Sequence, residues 1–187
     1  MTREKDLERL VEETVERFGT LDILVSNAGG GGPKPFEMSM AEFRQAFELN
    51  LFSFFRLAQL VAPAMEEVGG GAILAVTSMA GENKNRYMAS YGASKAAANH
   101  LIRNIACDLG PRGIRVNGLA PGATRTEALA SVLTEEIERS MLSRTPIRRL
   151  GDVQDMANAA LFRCSRAASW ISGQILTVSG GGVQELN

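Results

Sequence analysis

Apolar residues at Leu7, Val11, Val15 and Phe18 recur at helical spacing among charged neighbours and predict a helix over residues 3–18, stopped at Gly19. Leu21 to Val25 is a short apolar run of the kind that forms a buried strand, and Ser26 to Gly32 reads as a loop closed by Pro33-Lys34-Pro35. Ser39 and Glu42 make a capping box. The helix it opens carries Phe43, Phe47, Leu51, Phe54 and Phe55 and runs to about Met65. After Gly69-Gly70-Gly71, Ala72 to Thr77 is a second strand, and the polar loop Gly81 to Asn85 leads into a helix over 90–109 stopped by Gly110-Pro111. A third strand over 114–119, a helical stretch over 126–142, a helix over 152–165 starting at Asp152 and a last strand over 174–178 complete the pattern.

Strands that alternate with helices predict an α/β fold built on a parallel sheet. Ligands of such sheets bind beyond the carboxyl ends of the strands. That rule directs attention to Ser26–Gly32, Ser78–Asn85 and Ala120–Thr126. The 187 residues fit one domain.

Composition narrows the function by exclusion. Lys plus Arg is 20 and Asp plus Glu is 21, a net charge of -1, which argues against a nucleic-acid binder. No apolar run reaches the ~18 residues of a membrane span, and the polar, mixed-sign start Met1-Thr2-Arg3-Glu4-Lys5-Asp6 is no signal peptide. Cys107 and Cys164 form no CxxC and, with His100 as the single histidine, supply no zinc set. They read as reduced core thiols of a cytoplasmic protein, and His100, inside a helical pattern, reads as structural or surface.

Tyr91 and Lys95 lie four apart on a predicted helix and share one face. A free phenol is a poor base at neutral pH, but a nearby ammonium favours the phenolate, so such a pair can exchange a proton with an alcohol or carbonyl oxygen. Ser78, thirteen residues earlier at a strand end, adds a hydroxyl that can hold the substrate oxygen. Y-x-x-x-K alone recurs on many helices as a surface pair. Tyr87 has no lysine four residues on.

Ser78 followed by Tyr91-Gly92-Ala93-Ser94-Lys95 resembles the signature of the short-chain dehydrogenases/reductases. The likeness extends along the chain: Ser26-Asn27-Ala28-Gly29 is similar to that family's N-N-A-G loop with Ser in first place, and Glu48-Leu49-Asn50 to the helix that carries its tetrad asparagine. Arg115 to Gly122 resembles its R-V-N-x-I-x-P-G segment, and Ser172-Gly173-Gln174 with Val178 to Gly181 its closing strand. Gly29 to Phe36, the 82–85 loop and the tail from Gly182 to Asn187 resemble a bacterial branch of the family that acts on steroid hydroxyls.

The resemblance implies a Rossmann-like doubly wound parallel sheet in a single domain over 1–187, and an NAD(P)-dependent oxidoreductase that interconverts a secondary alcohol and a ketone, here the 7α-hydroxyl of bile acids. It implies Tyr91 as general acid/base, Lys95 lowering the phenol's pKa and holding the nicotinamide ribose, Ser78 on the substrate oxygen, and Asn50 carrying a water that links Lys95 to solvent. Asn27, Ala28 and Gly29 would line the adenosine side of the cofactor, and Pro121, Gly122, Thr124, Arg125 and Thr126 would hold its carboxamide. Asn83 is a candidate substrate contact or a turn-forming residue. Leu129, Leu133, Ile137 and Met141 would form an apolar lid or pack ordinarily. By the same resemblance the cofactor is NAD rather than NADP, the location cytoplasmic, and the assembly a homotetramer packed through helices around 40–65 and 90–109. The Phe-rich 43–55 stretch fits an interface or the core.

The family opens with a strand, a Gly-rich turn and a helix that hold the pyrophosphate. No GxGxxG occurs in these 187 residues: Gly29 to Gly32 follows a strand but runs into Pro33-Lys34-Pro35. The fold is therefore expected to lack its first βαβαβ portion, with Met1 standing at an internal GTG valine codon after the third strand. The coding sequence upstream of Met1 checks this, since an in-frame stop close before it would contradict the expectation. The strand at 21–25 would then be an open edge, and the isolated chain unstable or partly disordered and inactive with NAD. Two other readings stand beside the dehydrogenase: a non-catalytic fragment that pairs through its edge, and a 3-oxoacyl thioester or sugar reductase of the same family.

Overall fold

A computed structural model of the chain describes residues 2–182. Met1 and the tail beyond Gly182, including its likeness to the steroid branch, lie outside the described residues.

Four strands form one parallel sheet in the order β1 (Ile23–Ser26), β2 (Gly71–Val76), β3 (Ile114–Pro121) and β4 (Ile175–Val178). The helices are α1 (Glu4–Phe18), α2 (Met40–Phe47), α3 (Ser53–Glu67), α4 (Ala89–Leu109), α5 (Glu127–Ala130), α6 (Glu135–Ser143) and α7 (Val153–Cys164). Period-two alternation sorts the central strands. Ile73, Ala75, Ile114 and Val116 join a buried cluster with Leu57, Val61 and Met65 of α3 and Ile102 and Ile105 of α4. Ala72 and Leu74 are also buried but outside that cluster, on the face where α7 packs against β2, β3 and β4. Helices thus cover both faces of the sheet, as a doubly wound fold requires.

The element boundaries differ from the sequence pattern at informative places. The expected continuous helix from Ser39 is capped as predicted, with Ser39 and Glu42 bonded reciprocally, but Glu48–Phe52 forms a π-turn between α2 and α3. One extra residue in a turn leaves the apolar periodicity intact on either side, which is why the pattern hides it. The stretch over 126–142 is two short helices, because Thr126 and Thr134 each cap a new N-terminus. β3 runs on through Pro121, two residues past its predicted end, since β4 pairs with that extension. Cys107 is exposed and Cys164 partly buried, so neither is a core thiol: the apolar face of α4 is filled by Ile102, Ile105 and Ala106. His100 is exposed on α4. No helix among the described residues is long and apolar enough to cross a membrane.

Among the described residues β1 pairs with β2 alone, and Ile23 and Val25 on it are 52% and 46% exposed, whereas Val116 at the sheet centre is 0%. Of the Phe-rich stretch, Phe54 is in the core, while Phe52 and Phe55 are exposed.

Candidate active site

The site forms where β2 and β3 end against the first turns of α4. Past β2, Thr77 continues the pairing by donating from its backbone N and its Oγ1 to Leu119 O at 2.7 and 3.2 Å. Ser78 follows in extended geometry and turns the chain: its Oγ accepts from Ala80 N at 3.1 Å, starting a short 3-10 turn over Met79–Gly81. That turn lies directly on α4. A Cβ on Gly92 would sit 2.9 Å from Ala80 O, and one on Gly81 2.8 Å from Ala96 N, so side chains at either position would push Ser78 away from α4.

Lys95 is only 5% exposed; its Nζ donates to Val76 O at 2.9 Å and lies 5.8 Å from the centre of the Tyr91 ring. Burial of the ammonium lowers its pKa from 10.5 to about 8. Asn50, at the centre of the π-turn, is also buried. Its Nδ2 donates to Gly30 O at 2.9 Å and to Ser94 Oγ at 3.0 Å, and its Oδ1 accepts from Gly30 N at 2.9 Å. Ser94 Oγ in turn donates to Tyr91 O at 2.8 Å. The loop after β1 is thereby tied through Asn50 and Ser94 to the helix turn that carries Tyr91. Gly31, at φ +150°, comes so close that a Cβ there would meet Tyr91 Cδ2 at 2.5 Å.

A cleft of about 240 Å³ gathers Asn27, Gly29, Ser78, Tyr91 and Lys95 with Pro121, Gly122, Thr124 and Thr126. Nine residues singled out in the sequence therefore share one space. Ala28 is exposed beside it and does not line it. Arg125 turns away and pairs with Glu138 at 2.8 Å. Asn83 lines a separate cavity of about 500 Å³ with Lys34, Tyr87 and Gly92. Asn50 does not line the cleft; its carboxamide is held by Gly30 and Ser94.

A second cavity, about 490 Å³, lies beside the cleft. Met79, Met88, Ile137 and Met141 line it, and Met79 Sδ also lies 3.1 Å from where a Cβ of Gly122 would stand. Leu129 and Leu133 take no part in it, because the break between α5 and α6 gives the predicted lid two separate pieces. Sequence reasoning missed Ser94, although its place three residues after Tyr91 on the same helix face was a usable signal. It also missed Met79, Met88, Arg86 and Arg144, for which no local pattern gave a sign.

A serine past the end of β2, with a tyrosine and a buried lysine on α4, gathers about one cleft the groups that can exchange a proton with an alcohol or carbonyl oxygen. The pattern of the family described as enoyl-(acyl carrier protein) reductase matches residues 1–182. The chain is 67% identical over all 187 residues to 7alpha-hydroxysteroid dehydrogenase of Escherichia coli strain K12, and the match covers 73% of that protein. It is 39% identical over 172 residues to 3alpha-hydroxysteroid dehydrogenase of Mediterraneibacter gnavus, covering 91% of this chain and 68% of the relative. The solved structure of 7 alpha-hydroxysteroid dehydrogenase complexed with NADH and 7-oxo glycochenodeoxycholic acid superimposes with a TM-score of 0.96 at 68% identity, covering 100% of this chain and 73% of the other. The chain belongs to the short-chain dehydrogenase/reductase family and has the fold of its Rossmann-type enzymes.

Proposed function

We propose that this protein interconverts the 7α-hydroxyl and 7-ketone of bile acids with NAD as the hydride partner. The observation that carries the reading is the shared cleft of Ser78, Tyr91 and Lys95, in a chain 67% identical to a 7alpha-hydroxysteroid dehydrogenase. In the oxidative direction the Tyr91 phenolate takes the proton of the substrate hydroxyl and becomes the neutral phenol, while Ser78 Oγ holds the substrate oxygen. The Lys95 ammonium supports the negative charge that Tyr91 carries before it takes the proton. Asn50 and Ser94 fix the turn that bears Tyr91. A nicotinamide held in the cleft would supply the hydride chemistry at the substrate carbon.

The cleft fits the nicotinamide end of such a cofactor. Lys95 Nζ and Asn50 Oδ1 each lie 2.9 Å from where a Cβ of Gly29 would stand, so the backbone at Gly29 forms its close floor. Asn27, Pro121, Gly122, Thr124 and Thr126 supply polar and backbone edges around it. Ala28 would face the adenosine side, whereas Arg125, paired with Glu138, and Asn83, on a separate cavity, take no part in the cleft. The 187 residues offer no Gly-rich turn for the pyrophosphate. The test follows from that: the chain is fused behind the part of the E. coli relative that it does not match, and oxidation of chenodeoxycholate with NAD is followed by absorbance. The fusion turns over and the Tyr91→Phe fusion does not, while the 187-residue chain alone shows little turnover. A fusion equally active with phenylalanine at this position overturns the reading.

We propose further that the protein works in the cytoplasm, where the free thiols of Cys107 and Cys164 stay reduced. We also propose that it assembles as a homotetramer through the helices around 40–65 and 90–109, for which exposed Phe52 and Phe55 supply apolar surface. Light scattering of the fusion tests the assembly.

A further inference from the structure

The cavity beside the cleft joins two kinds of surface. Its walls are thioether and aliphatic, from Met79, Met88, Ile137 and Met141. Methionine walls adapt to a bulky rigid ligand without demanding one shape. Two guanidinium groups, Arg86 and Arg144, also line it, against one carboxylate, Glu136. Among the described residues these three are the ionisable groups on the lining. Arg86 stands on the exposed loop before α4, with its guanidinium 5.8 Å from the Tyr87 ring centre. Arg144 ends α6 as its C-cap.

An apolar chamber with a guanidinium on its wall is the complement of an amphipathic anion: a rigid apolar body with an acid at one end. We propose that Arg86 binds the terminal carboxylate of the substrate, so that the protein selects acidic steroids over neutral ones. This rests on the bile-acid reading above and adds to it which end of the substrate is read, and by what. The geometry is consistent with that division. Met79 follows Ser78 and Ala123 follows Gly122 in the chain, so the cavity begins where the catalytic cleft ends. Guanidinium suits the task because its planar fork meets a carboxylate through two parallel hydrogen bonds. Glu136 opposes the same anion and tunes the preference downward.

The test is calorimetric titration of the fusion with cholate and with cholamide, its uncharged carboxamide, below their micellar concentrations. Cholate binds about fivefold more tightly than cholamide, the range of a solvent-accessible ion pair. Arg86→Gln brings the two within about twofold by weakening cholate alone, and Glu136→Gln widens the gap. At about 1 M salt, where the Debye length is near 3 Å, the gap narrows in the unsubstituted fusion. Equal affinity for both ligands in the unsubstituted fusion overturns the inference, as does an Arg86→Gln fusion that weakens both alike or a fusion that binds neither. A preference for cholate without turnover in the fusion overturns the bile-acid chemistry and leaves the anion site standing.

Discussion

The catalytic cleft and the methionine-lined cavity beside it rest on different supports. Ser78, Tyr91 and Lys95 stand on the ends of a central strand and a 21-residue helix, both packed into the main core. The far wall of the cavity stands on α6, a nine-residue helix with no buried residue. Reacting groups must be held to within a fraction of an ångström, so they belong on buried elements. A wall that only excludes water from an apolar ligand can stand on a marginal element and change its side chains without disturbing the sheet. The comparison teaches that bond chemistry and choice of substrate are separable here: changes at the cleft should alter kcat, and changes at α6 should alter KM.

The largest effect that bears on this division is Tyr91→Phe in the fusion. It lowers kcat by about 10²–10⁴-fold, and thermal melting stays where it was. A variant that melts lower in proportion to its lost activity would mean that the tyrosine is only structural.

Lys95 tests the cost of burying a charge in the frame. Its folded pKa, about 8, lies below the unfolded value of 10.5. Between those values the unfolded chain binds more protons than the folded one, so stability rises with pH from about 8 to about 10.5. The full gain from the low-pH to the high-pH side is about 3 kcal/mol. Urea midpoints over pH 7–11 measure it, and Lys95→Met removes that rise, the other titrating groups being common to both chains. Turnover of the fusion falls as pH rises through about 8, where the ammonium loses its proton.

Smaller is Ser94→Ala. It takes a hydroxyl from between Asn50 Nδ2 and Tyr91 O, which costs about 1–3 kcal/mol of stability in a buried network. The fusion carrying it loses kcat with KM for the steroid unchanged, and Ser94→Thr restores part of the loss. Smallest is Met141→Ala on α6. It raises KM for chenodeoxycholate about threefold and leaves kcat within about twofold, since one partly exposed side chain contributes little more. A large fall in kcat there would erase the distinction between frame and wall.

Much of this was legible in residues alone. The apolar runs at β2 and β3 and the helical spacing of α1, α4 and α7 place every strand and most helices, because the periods of two and 3.6 are local properties of the backbone. Tyr91 and Lys95 share a face for the same reason. The π-turn was invisible, since its extra residue at Glu48–Phe52 falls between two well-patterned halves. So was the break after α5, where Ser131 to Thr134 carry no glycine or proline to announce it.

The sequence by itself determined the alternation of strands and helices, the reacting trio and the family to which they point. The fold alone decided that Asn50 closes on Gly30 and Ser94, residues 20 and 44 positions away. It alone put Arg86 and Arg144 on one cavity with Glu136 and set Asn83 and Arg125 outside the cleft. Such meetings depend on the packing angles of whole elements and the paths of loops, and no residue's immediate neighbours carry that information.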